Sequence, residues 1–187
     1  MQVMQVLEKK YKVQEFLKKD DFAENQLYEL LNGVIVKRSS PSPAHQSTLL
    51  ALAKKLDDFT RNKQLGKIFV APIDIFLDEE NLVLPDLVFV AESKKHIITE
   101  NGIEGSPDLV VEILSPSTAR YDRGEKMKLY KRHQICEYWI IDPKAFSVEI
   151  YFYQNEDYDL KEYAIEKGEV KSSVLENFIL KIEEIFI

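Results

Sequence analysis

The chain has 187 residues, 45% hydrophobic and 11% aromatic, with a formal net charge of −7. That supplies enough apolar material for one sizeable core, while the acidic balance excludes a protein that coats nucleic acid through its overall charge. A lone cysteine, Cys136, excludes an intramolecular disulfide and argues against a cysteine-based zinc site. No uninterrupted apolar run opens the chain, so the expectation is one domain over residues 1–187, cytoplasmic and without a membrane span.

In chain order, residues 1–20 space Val3, Leu7, Tyr11 and Phe16 at near-helical intervals, which predicts a helical N-terminal segment. Tyr28 to Lys37 reads as a hairpin, because two apolar runs flank Asn32-Gly33 and both of those residues tolerate positive φ. Beyond the polar loop Ser39 to Pro43, the spacing of Leu49, Leu52, Leu56 and Phe59 predicts an amphipathic helix over about 45–62. Lys67 to Leu77 and Leu82 to Ala91 read as two strands, with Pro72 and Pro85 marking an edge, a start or a bulge.

The next strand, Leu109 to Leu114, leads through Ser115-Pro116-Ser117 into a helix over 119–134 and a buried strand, Glu137 to Asp142. Ser147–Tyr153, Tyr158–Ile165 and Glu169–Ser172 follow as an antiparallel meander. The fold class expected is α/β (α+β), with a mixed central sheet flanked by helices.

Two of these strands carry a carboxylate among hydrophobes. Glu112 shares a face with Val110 and Leu114, and Asp86 shares one with Leu84 and Val88. An unpaired anion in a core costs several kcal/mol, so each needs a cation, a donor or a metal. On the following helix Lys126 falls on the apolar stripe with Asp122, Leu129, Tyr130 and His133, whereas Lys128 faces water. Carboxylate oxygens suit Mg²⁺ or Mn²⁺, which bind phosphate oxygens and activate water. Metal-assisted phosphodiester hydrolysis follows from that chemistry, while a structural ion pair is the commoner meaning of the same spacing.

At these residues the sequence resembles the Uma-two family of restriction-endonuclease-like proteins, within the PD-(D/E)XK nuclease superfamily. The matching stretches include Tyr28-Glu29-Leu30 with Asn32-Gly33, Ser42-Pro43 with His45, Pro85-Asp86-Leu87-Val88, Gly105 to Thr118, Gly124-Glu125-Lys126, and Glu137 to Pro143. The resemblance implies a restriction-endonuclease-like core and a metal-dependent endonuclease acting on DNA with Mg²⁺ or Mn²⁺, in which a homodimer is an analogy only. It carries Asp86 and Glu112 over as metal ligands. The motif lysine two residues beyond the Glu is missing, since Leu114 stands there, and its role falls to Lys126. Glu29 is carried over as an upstream acid completing the metal shell. Some superfamily members have lost the chemistry, so the alternative is an inactive binding module with a structural Asp-Glu-Lys cluster.

Other features have plainer readings beside functional ones. His45 caps or packs its helix, or donates to a phosphate near the metal. Asp74 is a third strand acid, reaching the cleft or facing solvent. Ser117 caps the next helix or contacts a phosphate. Arg120 and Arg123 open a basic run continued by Lys128, Lys131, Arg132 and His133, which either follows a nucleic-acid backbone or forms a solvated face. Tyr138, Trp139 and Cys136 read as core.

Overall fold

The computed structural model describes residues 9–24 and 26–186. Two six-stranded mixed sheets form the molecule, together with a two-stranded ribbon. Strands β1 (Tyr28–Leu31) and β2 (Val34–Lys37) make the hairpin read from Asn32-Gly33, whose φ angles are 51° and 79°. The hairpin is not an appendage. It extends the first sheet, beside β5 (Asn81–Val83), β4 (Ile75–Asp78), β8 (Gly102–Glu104) and β7 (Ile98–Thr99).

The second sheet carries β3 (Gly66–Val70), β6 (Leu87–Ala91), β9 (Leu109–Ile113), β10 (Glu137–Asp142), β11 (Ser147–Gln154) and β12 (Asp157–Ile165). Strands β6 and β9 are antiparallel neighbours, and β9 and β10 are parallel. A parallel pair needs a crossover. Helix α3 (Ala119–Tyr121), a π-helical turn (Asp122–Lys126) and α4 (Met127–Arg132) supply it as one continuous rod.

Three sequence expectations need correction. The runs 67–77 and 82–91 are four strands rather than two, because each proline breaks the ladder and the chain passes from one sheet to the other there. The N-terminal helix is confined to α1 (Val13–Leu17) among the described residues, and its part before residue 9 lies outside them. At its entry, the N–H groups of Tyr11 and of Val13, its first residue, are taken by the Gly33 and Glu79 carbonyls of two hairpin turns. Finally, Glu169–Lys171 leaves the meander, since among the described residues this strand, β13, pairs only with β14 (Ile179–Lys181).

Helix α2 (Pro43–Asn62) begins where Ser42 accepts a hydrogen bond from the His45 backbone N–H, with proline in its first turn. Its Leu49, Leu52 and Leu56 pack with Val111, Ile113 and Trp139, and the β13-β14 ribbon covers the same face through Val170 and Leu180. The opposite face of the second sheet, carrying Val88, Val110 and Ile140, packs on the first sheet through Leu31, Ile75 and Val83 and on the crossover through Leu129 and Tyr130. Glu112 belongs to this inner face by alternation along β9, so it points into the layer between the two sheets. No helix of the described residues is long and apolar enough to cross a membrane.

Candidate active site

In that layer four buried carboxylates, Glu29, Asp86, Glu112 and Asp122, meet Arg38, His45 and Lys126. Each arrives on a different piece of the fold. Asp86 immediately precedes β6, after Pro85, rather than lying within a strand. The register pairing Leu87 with Val111, together with Asp86 N–H donating to the Val111 carbonyl at 3.1 Å, sets it opposite Glu112. Glu29 comes from β1 of the other sheet.

Lys126 joins the acids. Its Nζ lies 2.7 Å from Glu29 Oε1, 2.8 Å from Glu112 Oε1 and 3.7 Å from Asp122 Oδ1, with its side chain 1% exposed. Lys128, by contrast, reaches only Glu125 at the surface. The π-helical turn keeps Asp122 and Lys126 on one inward stripe, and Tyr138 Oη anchors that turn by donating to the Asp122 carbonyl at 2.9 Å. Such turns recur at functional positions. Tyr130 Oη donates to Glu112 Oε1 at 2.7 Å, fixing the carboxylate from the next turn of the rod.

Asp86 is held from three sides. Arg38 donates to its Oδ1 at 2.9 Å, while the Ile113 N–H at 2.7 Å and His45 Nε2 at 3.1 Å engage its Oδ2. Arg38 also donates to the Leu84 carbonyl and approaches Glu29 Oε1 at 3.4 Å, and Glu29 accepts the Leu84 N–H at 2.7 Å.

The electrostatics follow from this packing. Burial alone would raise the Asp86 carboxyl, but His45, Arg38 and the Ile113 N–H outweigh it and hold the group below the usual range. Burial pushes Glu112 up to about 8 while Lys126 pulls it the other way. For Lys126 burial opposes the charge, and the surrounding Glu112, Glu29 and Asp122 carboxylates outweigh it, so the ammonium persists. Asp122 is also raised, chiefly by burial, and neither of its oxygens has a hydrogen-bond partner of good geometry among the described residues.

The donor set fits a hard divalent cation in its chemistry. The four carboxylates supply hard oxygen donors, and Asp122, with no hydrogen bond of good geometry among the described residues, has oxygens such an ion could take. A cage is not pre-assembled. Among the described residues no three of His, Cys, Asp and Glu are grouped to hold a metal, because Arg38, His45 and Lys126 stand between the acids.

Of the residues singled out from sequence, Asp86, Glu112, Lys126, Glu29 and His45 converge here. Asp74 does not. It sits in the loop before β4, half-buried, lining a groove with Asp78 and Glu104, and burial raises its carboxyl. Ser117 lies at the rim, its Oγ 2.5 Å from Ser39 Oγ. The basic run is largely spent on acids: Arg123 grips Glu149 with two hydrogen bonds of 2.9 and 2.6 Å, Lys131 pairs with Asp157, and Arg132 and His133 meet Asp78. Arg120 is exposed, with no acidic partner among the described residues. Tyr138 and Trp139 are fully buried, whereas Cys136 is only half-buried.

Arg38 was not anticipated. The signal was present, since a two-residue turn at Asn32-Gly33 pairs Glu29 with Val36, and Arg38, two residues beyond Val36, shares that face of the hairpin.

Comparison with known proteins adds to this geometry. A family model, Uma2, described as "Putative restriction endonuclease", matches residues 13–183. The uncharacterized protein sll1609 of Synechocystis sp. is 27% identical over 139 residues, covering 73% of this chain and 77% of that protein. A second Synechocystis protein, slr1290, also uncharacterized, is 31% identical over 100 residues, 51% of each chain. The crystal structure of "a putative nuclease belonging to DUF820" from Anabaena variabilis superposes with a TM-score of 0.74 at 20% identity, covering 94% of this chain and 97% of the other, which establishes a shared fold.

Proposed function

Because the chain belongs to the Uma2 family, a restriction-endonuclease family by description, we propose that the buried acid cluster is the centre of a metal-dependent endonuclease that hydrolyses DNA phosphodiester bonds. The observation carrying this reading is the position of Lys126. With Leu114 where a strand lysine would stand, the crossover delivers its ammonium to Glu112 at 2.8 Å, beside Asp86.

Asp86 and Glu112 would hold Mg²⁺ or Mn²⁺, with Asp122 and Glu29 the further oxygen donors. The bound ion supplies Lewis acidity toward a phosphodiester and makes water more acidic. The chain's own residues do the positioning. Arg38, His45 and the Ile113 N–H fix both oxygens of Asp86, and Tyr130 fixes Glu112 Oε1. Lys126 keeps a permanent positive charge where negative charge on a phosphate would grow, the kind of preorganised donor whose loss costs on the order of 10²–10³ in rate. Incubating plasmid and single-stranded DNA with Mg²⁺ or Mn²⁺ tests the assignment. Cleavage by the parent and its loss in Glu112→Gln and Lys126→Met supports it, and equal cleavage by all three refutes it.

A specific observation favours a second reading. Asp86, Glu112 and Lys126 are all within 3% of full burial, and cations already stand between the acids. An inactive module that keeps the cluster as an internal ion network accounts for that, and it predicts a parent protein that cleaves neither substrate.

A further inference from the structure

We propose that Arg38 is an internal lock on the acid cluster: its guanidinium sits on the Asp86 oxygen that a divalent cation would take, and it must swing into the adjoining recess before that oxygen can be shared with one. The lock rests on the metal-centre reading and adds to it a control over loading. The first observation is how Asp86 is held. Its Oδ2 accepts from the Ile113 N–H at 2.7 Å on β9 and faces His45 Nε2 at 3.1 Å in the first turn of α2, two groups fixed by secondary structure. Its Oδ1 faces Arg38 Nη2 at 2.9 Å. Departure of Arg38 therefore frees one oxygen while the other keeps the carboxylate aimed.

The second observation is where the guanidinium stands. It reaches Glu29 Oε1 at 3.4 Å as well as Asp86, so it spans two of the four carboxylates. Burial opposes its charge, but Glu112, Glu29, Asp86 and Asp122 all act on it and outweigh burial. A divalent ion is drawn by those same acids, and two cations at one carboxylate oxygen in a buried layer repel far more strongly than in water. Neither acid is stranded when Arg38 leaves. Asp86 keeps His45 and the Ile113 N–H, and Glu29 keeps Lys126 at 2.7 Å and the Leu84 N–H at 2.7 Å.

The third observation is an exit. The Lys126 side chain is 1% exposed and wedged between Glu29 and Glu112, whereas the Arg38 side chain is 12% exposed. Arg38 directly follows β2, and its own N–H is tied to the Leu27 carbonyl at 2.8 Å, so the side chain can turn on a fixed backbone. It lines a recess of about 140 Å³ together with Ser39, Gln46, Ser115 and Thr118, the share of about five waters at roughly 30 Å³ each. Hydroxyl and amide oxygens there accept the N–H groups of a guanidinium that has left Asp86. Affinity then follows the open fraction. A lock open in about one molecule in ten weakens apparent binding about tenfold, and removing the guanidinium restores it.

The test titrates Mn²⁺ calorimetrically into the parent, Arg38→Gln and Lys37→Gln, the last removing a charge from the exposed residue next in the chain. In parallel, nuclear magnetic resonance follows the Arg38 guanidinium of the parent as Mg²⁺ is added. The lock predicts about tenfold tighter Mn²⁺ binding by Arg38→Gln and parent-like binding by Lys37→Gln. It also predicts that the Arg38 signal moves saturably toward that of a guanidinium free of a carboxylate. Binding by Arg38→Gln alone supports the lock and denies the unaided parent a metal centre. The lock is overturned, with the metal centre left standing, by an Arg38→Gln affinity at or below that of a parent that binds, by an equal gain in Lys37→Gln, or by parent binding with the Arg38 signal unmoved. No binding by any of the three overturns both. Should Arg38→Gln not fold, the Arg38 signal of the parent decides by itself.

Discussion

Glu112 on β9 and Glu137 on β10 are both fully buried on neighbouring strands, and their surroundings differ in kind. Glu137 is met by neutral donors: Trp139 Nε1 at 3.1 Å, Ser172 Oγ at 2.6 Å and the Ser173 N–H at 2.7 Å. These contacts tie the C-terminal ribbon to the sheet and leave neither oxygen wanting. Glu112 instead shares Lys126 with Glu29 and Asp122, and Asp122 is left without a hydrogen bond of good geometry among the described residues. A buried carboxylate is therefore no mark of a site by itself. Packing needs only enough donors to satisfy one anion, and the gathering of four around two cations exceeds what packing asks.

The largest effect expected from breaking this contrast is at Lys126. Lys126→Met strands Glu29 and Glu112 and costs about 3–5 kcal/mol in urea unfolding, together with cleavage. Glu137→Gln turns an accepting oxygen into a donor facing Trp139 or Ser173 and costs about 1–3 kcal/mol, with the cleavage rate of the folded protein unchanged. Asp122→Asn sharpens the comparison most. Stability stays within about 1 kcal/mol because the carboxylate makes no hydrogen bond of good geometry among the described residues and meets Lys126 only at 3.7 Å, while Mn²⁺ affinity and cleavage fall, a separation that purely structural acids do not give.

The smallest effect is at the surface, where Arg123→Met removes the grip on Glu149. Partial exposure of Arg123 limits the loss to about 0.5–1 kcal/mol. Burial tends to raise the Glu149 carboxyl, but Arg123 and Tyr151 hold it below its ordinary value of 4.5. A depressed carboxyl stabilises the fold above its unfolded value, and that contribution fades as pH falls through the folded one. Parent and variant stabilities should therefore differ at pH 7 and converge below about pH 4.

The hairpin, the long helix, the two buried strands and the inward stripe of the crossover were legible because each rests on local chemistry: a turn dipeptide, a 3.6-residue period, a run of β-branched residues. The face of Lys126 was legible for the same reason. The division of residues 67–91 between two sheets was not, since Pro72 and Pro85 announce a break without saying where the chain goes next. Nor was the knot at Glu137, whose Ser172 and Ser173 lie 35 and 36 residues away. Asp122 stood on the inward stripe, yet its want of a well-aligned hydrogen bond among the described residues is a property of the assembled cluster. No local signal marks the π-helical turn that carries it.

Calorimetric titration of Mn²⁺ into the parent, Asp86→Asn and Glu112→Gln proteins reaches the central claim most directly. A metal centre predicts saturable binding by the parent, lost in both variants while each remains folded. A parent that gives no heat of binding, with its cluster intact, would contradict it.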